Sequence, residues 1–181
     1  MRIQKTSIFG AYLIDNKIFK DKRGFFYEVW NQKKFNIALN ENISFVQENF
    51  SRSKKNVLRG LHYQIKKPQG KLVRVSRGVV YDVIVDLRIS SPTFKKWFGI
   101  KLSSSNRKLL WVPIGCAHGF QVLSASADFV YKTTEHWFPE NERCIIWNDK
   151  DLSINWDLEN IPILSQEDAK GKNLRHAEYF K

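Results

Sequence analysis

Short runs rich in Val, Ile, Phe, Trp and Tyr recur along the 181-residue chain, each closed by turn-forming residues. They fall at Gly10–Ile14, Phe25–Trp30, Ile43–Phe50, Val57–Gln64, Lys71–Ser76, Val79–Leu87, Thr93–Leu102, Lys108–Val112, Phe120–Leu123, Ala127–Tyr131 and Cys144–Trp147. Arg77-Gly78, Ser90-Ser91-Pro92, Ser103–Asn106, Pro113-Ile114-Gly115 and Pro139-Glu140-Asn141 supply the turns between them. Many short strands at such close spacing predict an all-β antiparallel sandwich or barrel. Only Asn31–Leu39 reads clearly as helix, with Asn31 able to cap its start and Phe35, Ala38 and Leu39 on one face. A second short helix is expected within Ser165–Ala177, where Ser165 and Asp168 stand at capping-box spacing. Repeats, low-complexity stretches and linkers are absent from the sequence, which predicts one domain over residues 1–181.

With 13 Phe, 6 Trp and 6 Tyr, the chain has ample apolar material for a core, and disorder is excluded as a class. Thirty Lys and Arg against 18 Asp and Glu give a net charge of +12, which points to an anionic partner: nucleic acid, an acidic surface or a phosphorylated small molecule. The cations are dispersed, and no compact aromatic–basic motif of the kind that stacks single-stranded nucleic acid is present. Nucleic acid is therefore not the expected partner. No run has the length of a signal-peptide core or a membrane span, and Cys116 and Cys144 form no Cys-x-x-Cys pattern. Two buried thiols in a reducing cytoplasm, with no membrane partner, is the expectation.

Asn56–Arg74 concentrates the chemistry. Val57, Leu58 and Leu61 are apolar anchors of a strand that also carries Arg59, His62 and Gln64. Pro68-Gln69-Gly70 breaks the strand and Lys71-Leu72-Val73-Arg74 restarts one. Polar side chains on an otherwise apolar strand should face water or a cavity that uses them. An imidazole, a guanidinium and an amine together suggest a pocket for an anionic ligand with an acid–base group beside it. Taken alone, a strand histidine such as His62 is more often a satisfied structural residue than a catalytic one.

Pro113-x-Gly115-x-x-His118 is similar to the second half of the cupin signature, which implies a cupin-type antiparallel jelly roll. The first half offers His62-Tyr63-Gln64, so the second histidine of the usual His-x-His pair is missing and no metal is expected. Further motifs follow one another in order: Phe19-Lys20-Asp21-Lys22-Arg23-Gly24-Phe25, Phe45-Val46-Gln47-Glu48-Asn49, Leu58–Gln64, Gln69–Val73, Tyr81-Asp82-Val83, Val112–Phe120, Tyr131-Lys132, Trp147-Asn148-Asp149 and Leu164-Ser165-x-x-Asp168. This series, from about Phe19 to Asp168, closely resembles the dTDP-4-dehydrorhamnose 3,5-epimerase family.

The resemblance implies inversion of carbons 3 and 5 of dTDP-4-keto-6-deoxy-D-glucose, on the way to dTDP-L-rhamnose. The ketone at carbon 4 acidifies both C–H bonds, so no cofactor is required, but a base on one face and an acid on the other are. By resemblance His62 is the base, Asp168 orients and stabilises its imidazole, Tyr131 is the acid and Lys71 stabilises the enolate oxygen. Read alone, Tyr131 is a core tyrosine and Lys71 an exposed strand-start lysine. Arg23 and Arg59 are implied for the diphosphate, Glu28, Gln47 and Asn49 for nucleotide or sugar, and His118 and Glu142 for further ligand contacts. Asp82, between apolar neighbours, is expected as a buried support for Lys71 or a histidine. Trp137 stands where the family usually has a thymine-stacking tyrosine, and Glu167 where it often has a ligand-binding lysine. The resemblance also implies a homodimer with exchanged N-terminal strands, so that Arg23 and Glu28 serve the partner's pocket. Two alternatives stay open: a mono-epimerase (3- or 5-) on a related nucleotide 4-keto sugar, and a non-catalytic nucleotide-sugar-binding cupin.

Overall fold

A computed structural model describes residues 1–158 and 160–181. The strands, in chain order, are β1 (Arg2–Lys5), β2 (Tyr12–Asp15), β3 (Phe19–Asp21), β4 (Gly24–Phe26), β5 (Gln47–Lys54), β6 (Leu58–Gln64), β7 (Lys71–Arg77), β8 (Val79–Asp86), β9 (Trp97–Ser103), β10 (Leu109–Val112), β11 (Cys116–Val122), β12 (Ser126–Thr133) and β13 (Glu142–Cys144). Two α-helices accompany them, α1 (Gln32–Leu39) and α2 (Gln166–Ala169). A six-stranded sheet in the order β1-β2-β10-β7-β12-β5 faces a five-stranded sheet in the order β13-β6-β11-β8-β9. Every strand pair within these sheets is antiparallel, and β3 and β4 form a separate hairpin. This is the expected all-β jelly roll.

Three apolar clusters explain why so many strands read as continuous apolar runs. Leu13, Val73, Val75, Leu110 and Phe129 of the six-stranded sheet meet Val80, Ile84, Leu102, Phe120 and Val122 of the other, forming the interior. The outer face of the five-stranded sheet, with Leu58, Leu61, Val83, Val85 and Ala117, is covered by Leu152, Trp156 and Leu174 from the C-terminal segment. The outer face of the six-stranded sheet, with Ile14, Leu72, Leu109 and Trp111, is covered by Phe35 of α1 together with Trp30 and Phe45. A strand with both faces covered needs apolar residues at consecutive positions, as Leu109–Val112 shows. Asn31 caps α1 by accepting from Lys34 N, as expected, and Asn40 closes it in a left-handed conformation. The second expected helix is shorter than read from the sequence: α2 ends at Ala169, and a separate 3₁₀ turn covers Leu174–His176. No helix among the described residues is long and apolar enough to cross a membrane.

One irregularity decides what faces the interior. Strict alternation from Arg59 would send His62 to the opposite face. Across β6 and β11, however, His118 pairs with His62 and Phe120 with Arg59, so β6 carries one extra residue there. This bulge at Gly60 turns both Arg59 and His62 inward while Leu58 and Leu61 both pack outward. Gly60 has φ +101°, and a Cβ there would stand 2.5 Å from His118 O and 2.7 Å from Gly119 Cα. We expect Gly60→Ala to lower stability by roughly 1–3 kcal/mol, the usual cost of forcing such a backbone, and to lose turnover with the bulge. A wild-type denaturation midpoint with normal activity would contradict that account of the register.

Candidate active site

The interior is apolar at one end and polar at the other. His62 (β6), Asp82 (β8) and His118 (β11) come from the five-stranded sheet, and Asn49 (β5), Lys71 (β7) and Tyr131 (β12) from the six-stranded sheet. Each shares its strand face with core residues: Lys71 with Val73 and Val75, Asp82 with Val80 and Ile84, Tyr131 with Phe129. Arg59, His62, Lys71, His118, Tyr131 and Asn49 line a cavity of about 320 Å³ between the sheets. His62 also lines a larger cavity of about 500 Å³, with Trp137, Glu142, Glu167, Lys170 and Lys172.

His62 Nε2 lies 2.6 Å from Asp168 Oδ1. A carboxylate only accepts, so the ring proton sits on Nε2 and the lone pair of neutral His62 falls on Nδ1. Asp168 also accepts from Gly60 N at 3.0 Å and from Ser165 Oγ at 2.7 Å, while Ser165 Oγ accepts from Asp168 N. Burial pushes the Asp168 carboxyl up, but hydrogen bonds from His62, Ser165 and Gly60, with the His62 charge, hold it below its ordinary range. Asp168 therefore stays an anion. His62 Nδ1 is 3.9 Å from Glu142 Oε1, and Glu142 Oε2 accepts from the Trp137 indole at 3.1 Å.

His118 Nε2 lies 3.0 Å and 3.1 Å from the two oxygens of Asp82, which is fully buried. Burial raises the Asp82 carboxyl, opposed by the charges of His118 and Lys71. Lys71 Nζ reaches His62 O at 3.4 Å. Its burial lowers the amine to about 8, against the pull of the Glu142 and Asp82 charges. Burial also raises Tyr131, with Glu142 acting in the same direction and Arg59 and Asn49 opposing it. Its phenol keeps its proton at neutral pH. Arg59 Nε donates to Ser53 Oγ at 3.1 Å. Gln47 donates to Asn49 Oδ1 and accepts from Trp137 N, which ties the Trp137 segment to β5.

The structure thus gathers His62, Lys71, Tyr131, Arg59, Asn49 and His118 around one interior space, with Asp168 bonded to His62 and Asp82 to His118. Trp137 and Glu142 line the larger cavity that His62 shares, and Gln47 accepts from Trp137 N. The structure does not bring Arg23 or Glu28 there: Arg23 pairs with Asp21 at 2.6 Å, its side chain 83% exposed, and Glu28 pairs with Lys34 at 2.8 Å. One contributor is not legible in the sequence: Ser165 reads there only as a cap, although its hydroxyl also holds Asp168. Of the two thiols expected to be buried, Cys116 is, whereas Cys144 is half-buried and stands opposite His62 in the β6–β13 register.

If Lys71 acts as a cation, kcat/KM should fall as pH rises through about 8, because the amine then loses its proton. In Lys71→Arg, whose guanidinium does not titrate in this range, that alkaline limb should disappear from whatever activity remains. An unchanged limb in the variant would assign it to another group.

The family model described as dTDP-4-dehydrorhamnose 3,5-epimerase matches residues 5–176. The chain is 51% identical over 180 residues to the dTDP-4-dehydrorhamnose 3,5-epimerase of Pseudomonas aeruginosa, covering 99% of each chain. It superposes with a TM-score of 0.94 and 48% identity on a Legionella pneumophila dTDP-6-deoxy-D-glucose-3,5-epimerase in complex with dTDP-4-keto-L-rhamnose, covering 98% of this chain and 94% of that one. Similarity to ChmJ, a 3'-monoepimerase of Streptomyces bikiniensis in complex with dTDP-quinovose, is lower in sequence: 31% identity at a TM-score of 0.88, covering 94% and 86%.

Proposed function

Since the chain belongs to the dTDP-4-dehydrorhamnose 3,5-epimerase family, we propose that it inverts carbons 3 and 5 of dTDP-4-keto-6-deoxy-D-glucose. The observation that carries this reading is the placement of His62 and Tyr131 on facing sheets of one cavity. Inversion needs proton removal from one face of the sugar and proton delivery to the other, and two groups on one strand face would not span the ring. The higher identity to 3,5-epimerases than to the 3'-monoepimerase supports the double reaction.

His62 Nδ1 accepts the C–H proton, and the resulting imidazolium is stabilised by the Asp168 anion. The electrons move onto the carbon-4 oxygen, where the buried Lys71, held as an ammonium below pH 8, offsets the developing charge. The paired Asp82 and His118 fix the polar floor beside it. Tyr131 then gives its proton to carbon from the other side; before the second inversion the imidazolium of His62 releases its proton to solvent and the Tyr131 phenolate takes one up. The same set serves both carbons if the sugar is repositioned between steps.

The larger cavity, with the Trp137 indole and Lys170 and Lys172, suits the nucleoside diphosphate. Arg59 suits the diphosphate from within the chain. Arg23 and Glu28 lie on or next to a hairpin that also exposes Phe19, Phe25 and Phe26, the last 71% exposed. Those exposed rings support a homodimer in which the hairpin closes the partner's pocket. We expect a dimer by sedimentation velocity, with Arg23→Ala raising KM for the nucleotide sugar. A fully active monomer would remove this part of the proposal.

Solvent exchange separates the roles of base and acid. In deuterium oxide, His62→Ala should abolish exchange of the substrate protons. Tyr131→Phe should retain part of the exchange while losing inversion, since the base remains and the opposite acid is gone. Epimerisation by Tyr131→Phe at the wild-type rate would overturn the acid assignment.

A further inference from the structure

Cys144 lies opposite His62 in the antiparallel register of β13 and β6, which puts the two side chains on the same side of the sheet. One ligand atom each from His62, Cys144 and Asp168 all fall within 4.8 Å of one another. Imidazole, thiolate and carboxylate are the donor types that zinc takes, and a soft thiolate favours zinc over magnesium or calcium. His62 and Cys144 both line the larger cavity, so an ion and a water for a fourth position have a route from solvent. We infer that His62, Cys144 and Asp168 form a site for a thiophilic divalent cation, zinc or cadmium, whose occupation switches the enzyme off.

The geometry requires only small adjustments. Tetrahedral bonds of about 2.0–2.3 Å place ligand atoms roughly 3.5 Å apart. The 2.6 Å contact of His62 with Asp168 opens, and Cys144 closes in. Burial pushes the Cys144 thiol up to about 12, and the charges of Asp168, Glu142 and Glu167 push the same way. The same carboxylates that oppose a thiolate favour a dication, which replaces the thiol proton directly, while Lys170 and Lys172 in the cavity moderate that attraction. On binding, the thiol proton leaves to solvent and the imidazole stays neutral. If the metal takes Nε2, the ring proton moves to Nδ1; if it takes Nδ1, the lone pair is used directly. In either case no lone pair is left to accept a proton from carbon.

Inhibition rests on the reading of His62 as the base, whereas binding does not, so the two are measured separately. Metal-free protein is titrated with cadmium and followed by the ultraviolet thiolate-to-cadmium charge-transfer absorbance. One ion per chain is expected, with the band absent in Cys144→Ala and retained in a Cys116→Ala control, whose thiol is buried elsewhere in the core. Zinc should inhibit turnover reversibly by chelator. Measured against its own metal-free activity, Cys144→Ala should need more zinc for the same fractional inhibition, by more than the roughly 10–100-fold that loss of an outer-sphere partner costs. A titration of Cys144→Ala indistinguishable from wild type would overturn the site. A Cys144-dependent band without inhibition would leave the site standing and overturn the role of His62 as the base.

Discussion

Much of the site depends on one carboxylate. Asp168 accepts from the backbone N–H of Gly60, from His62 Nε2 and from Ser165 Oγ, so the bulge in β6, the imidazole and the start of α2 all meet on its two oxygens. A buried anion is stable only with such donors around it. Gly60 supplies a donor because its positive φ turns the chain at the bulge, and the same turn brings Arg59 and His62 to one face. The ring of His62 is therefore fixed in tautomer and direction by the device that sets the strand register.

The opposing sheets supply the rest by simple alternation. On β7, β8 and β12, each polar residue of the cavity shares its face with core residues of the same strand, so the apolar end of the interior is the rigid base of the polar end. Enclosure then changes the chemistry of the groups it holds. The amine of Lys71 falls to about 8, and the phenol of Tyr131 and the carboxyl of Asp82 rise, each with burial as the leading cause. A cation that can lose its proton and a phenol that holds one are suited to an enolate on one side and a carbon atom on the other.

The sequence was informative where local rules operate alone. Runs 57–64, 71–76 and 79–87 are found as strands β6, β7 and β8 within one residue at each end, and Asn31 and Ser165 cap the helices they were expected to cap. It was uninformative where a long-range partner decides. Phe25–Trp30 reads as one strand, yet only Gly24–Phe26 pairs, because β3 is three residues long. Arg2–Lys5, mostly polar, becomes a strand through pairing with β2. The bulge at Gly60 has no signature in alternation. Family resemblance, rather than spacing, pointed to Asp168 and Tyr131, since an acid over 100 residues from its histidine leaves no local trace. Cys144 reads in the sequence as an ordinary thiol, because its place beside His62 comes from pairing across β6.

On the proposed function, one cavity removes and returns protons on opposite faces of the sugar at two carbons. Proton NMR of the wild-type protein turning over dTDP-4-keto-6-deoxy-D-glucose in deuterium oxide, with the product trapped by a reductase, follows both carbons at once. Deuterium is expected at both carbon 3 and carbon 5 of an L-lyxo product. Deuterium and inversion at one carbon alone would contradict the double epimerisation, and no incorporation in a protein that still binds dTDP would contradict the assignment of His62 and Tyr131 as an acid–base pair for this sugar.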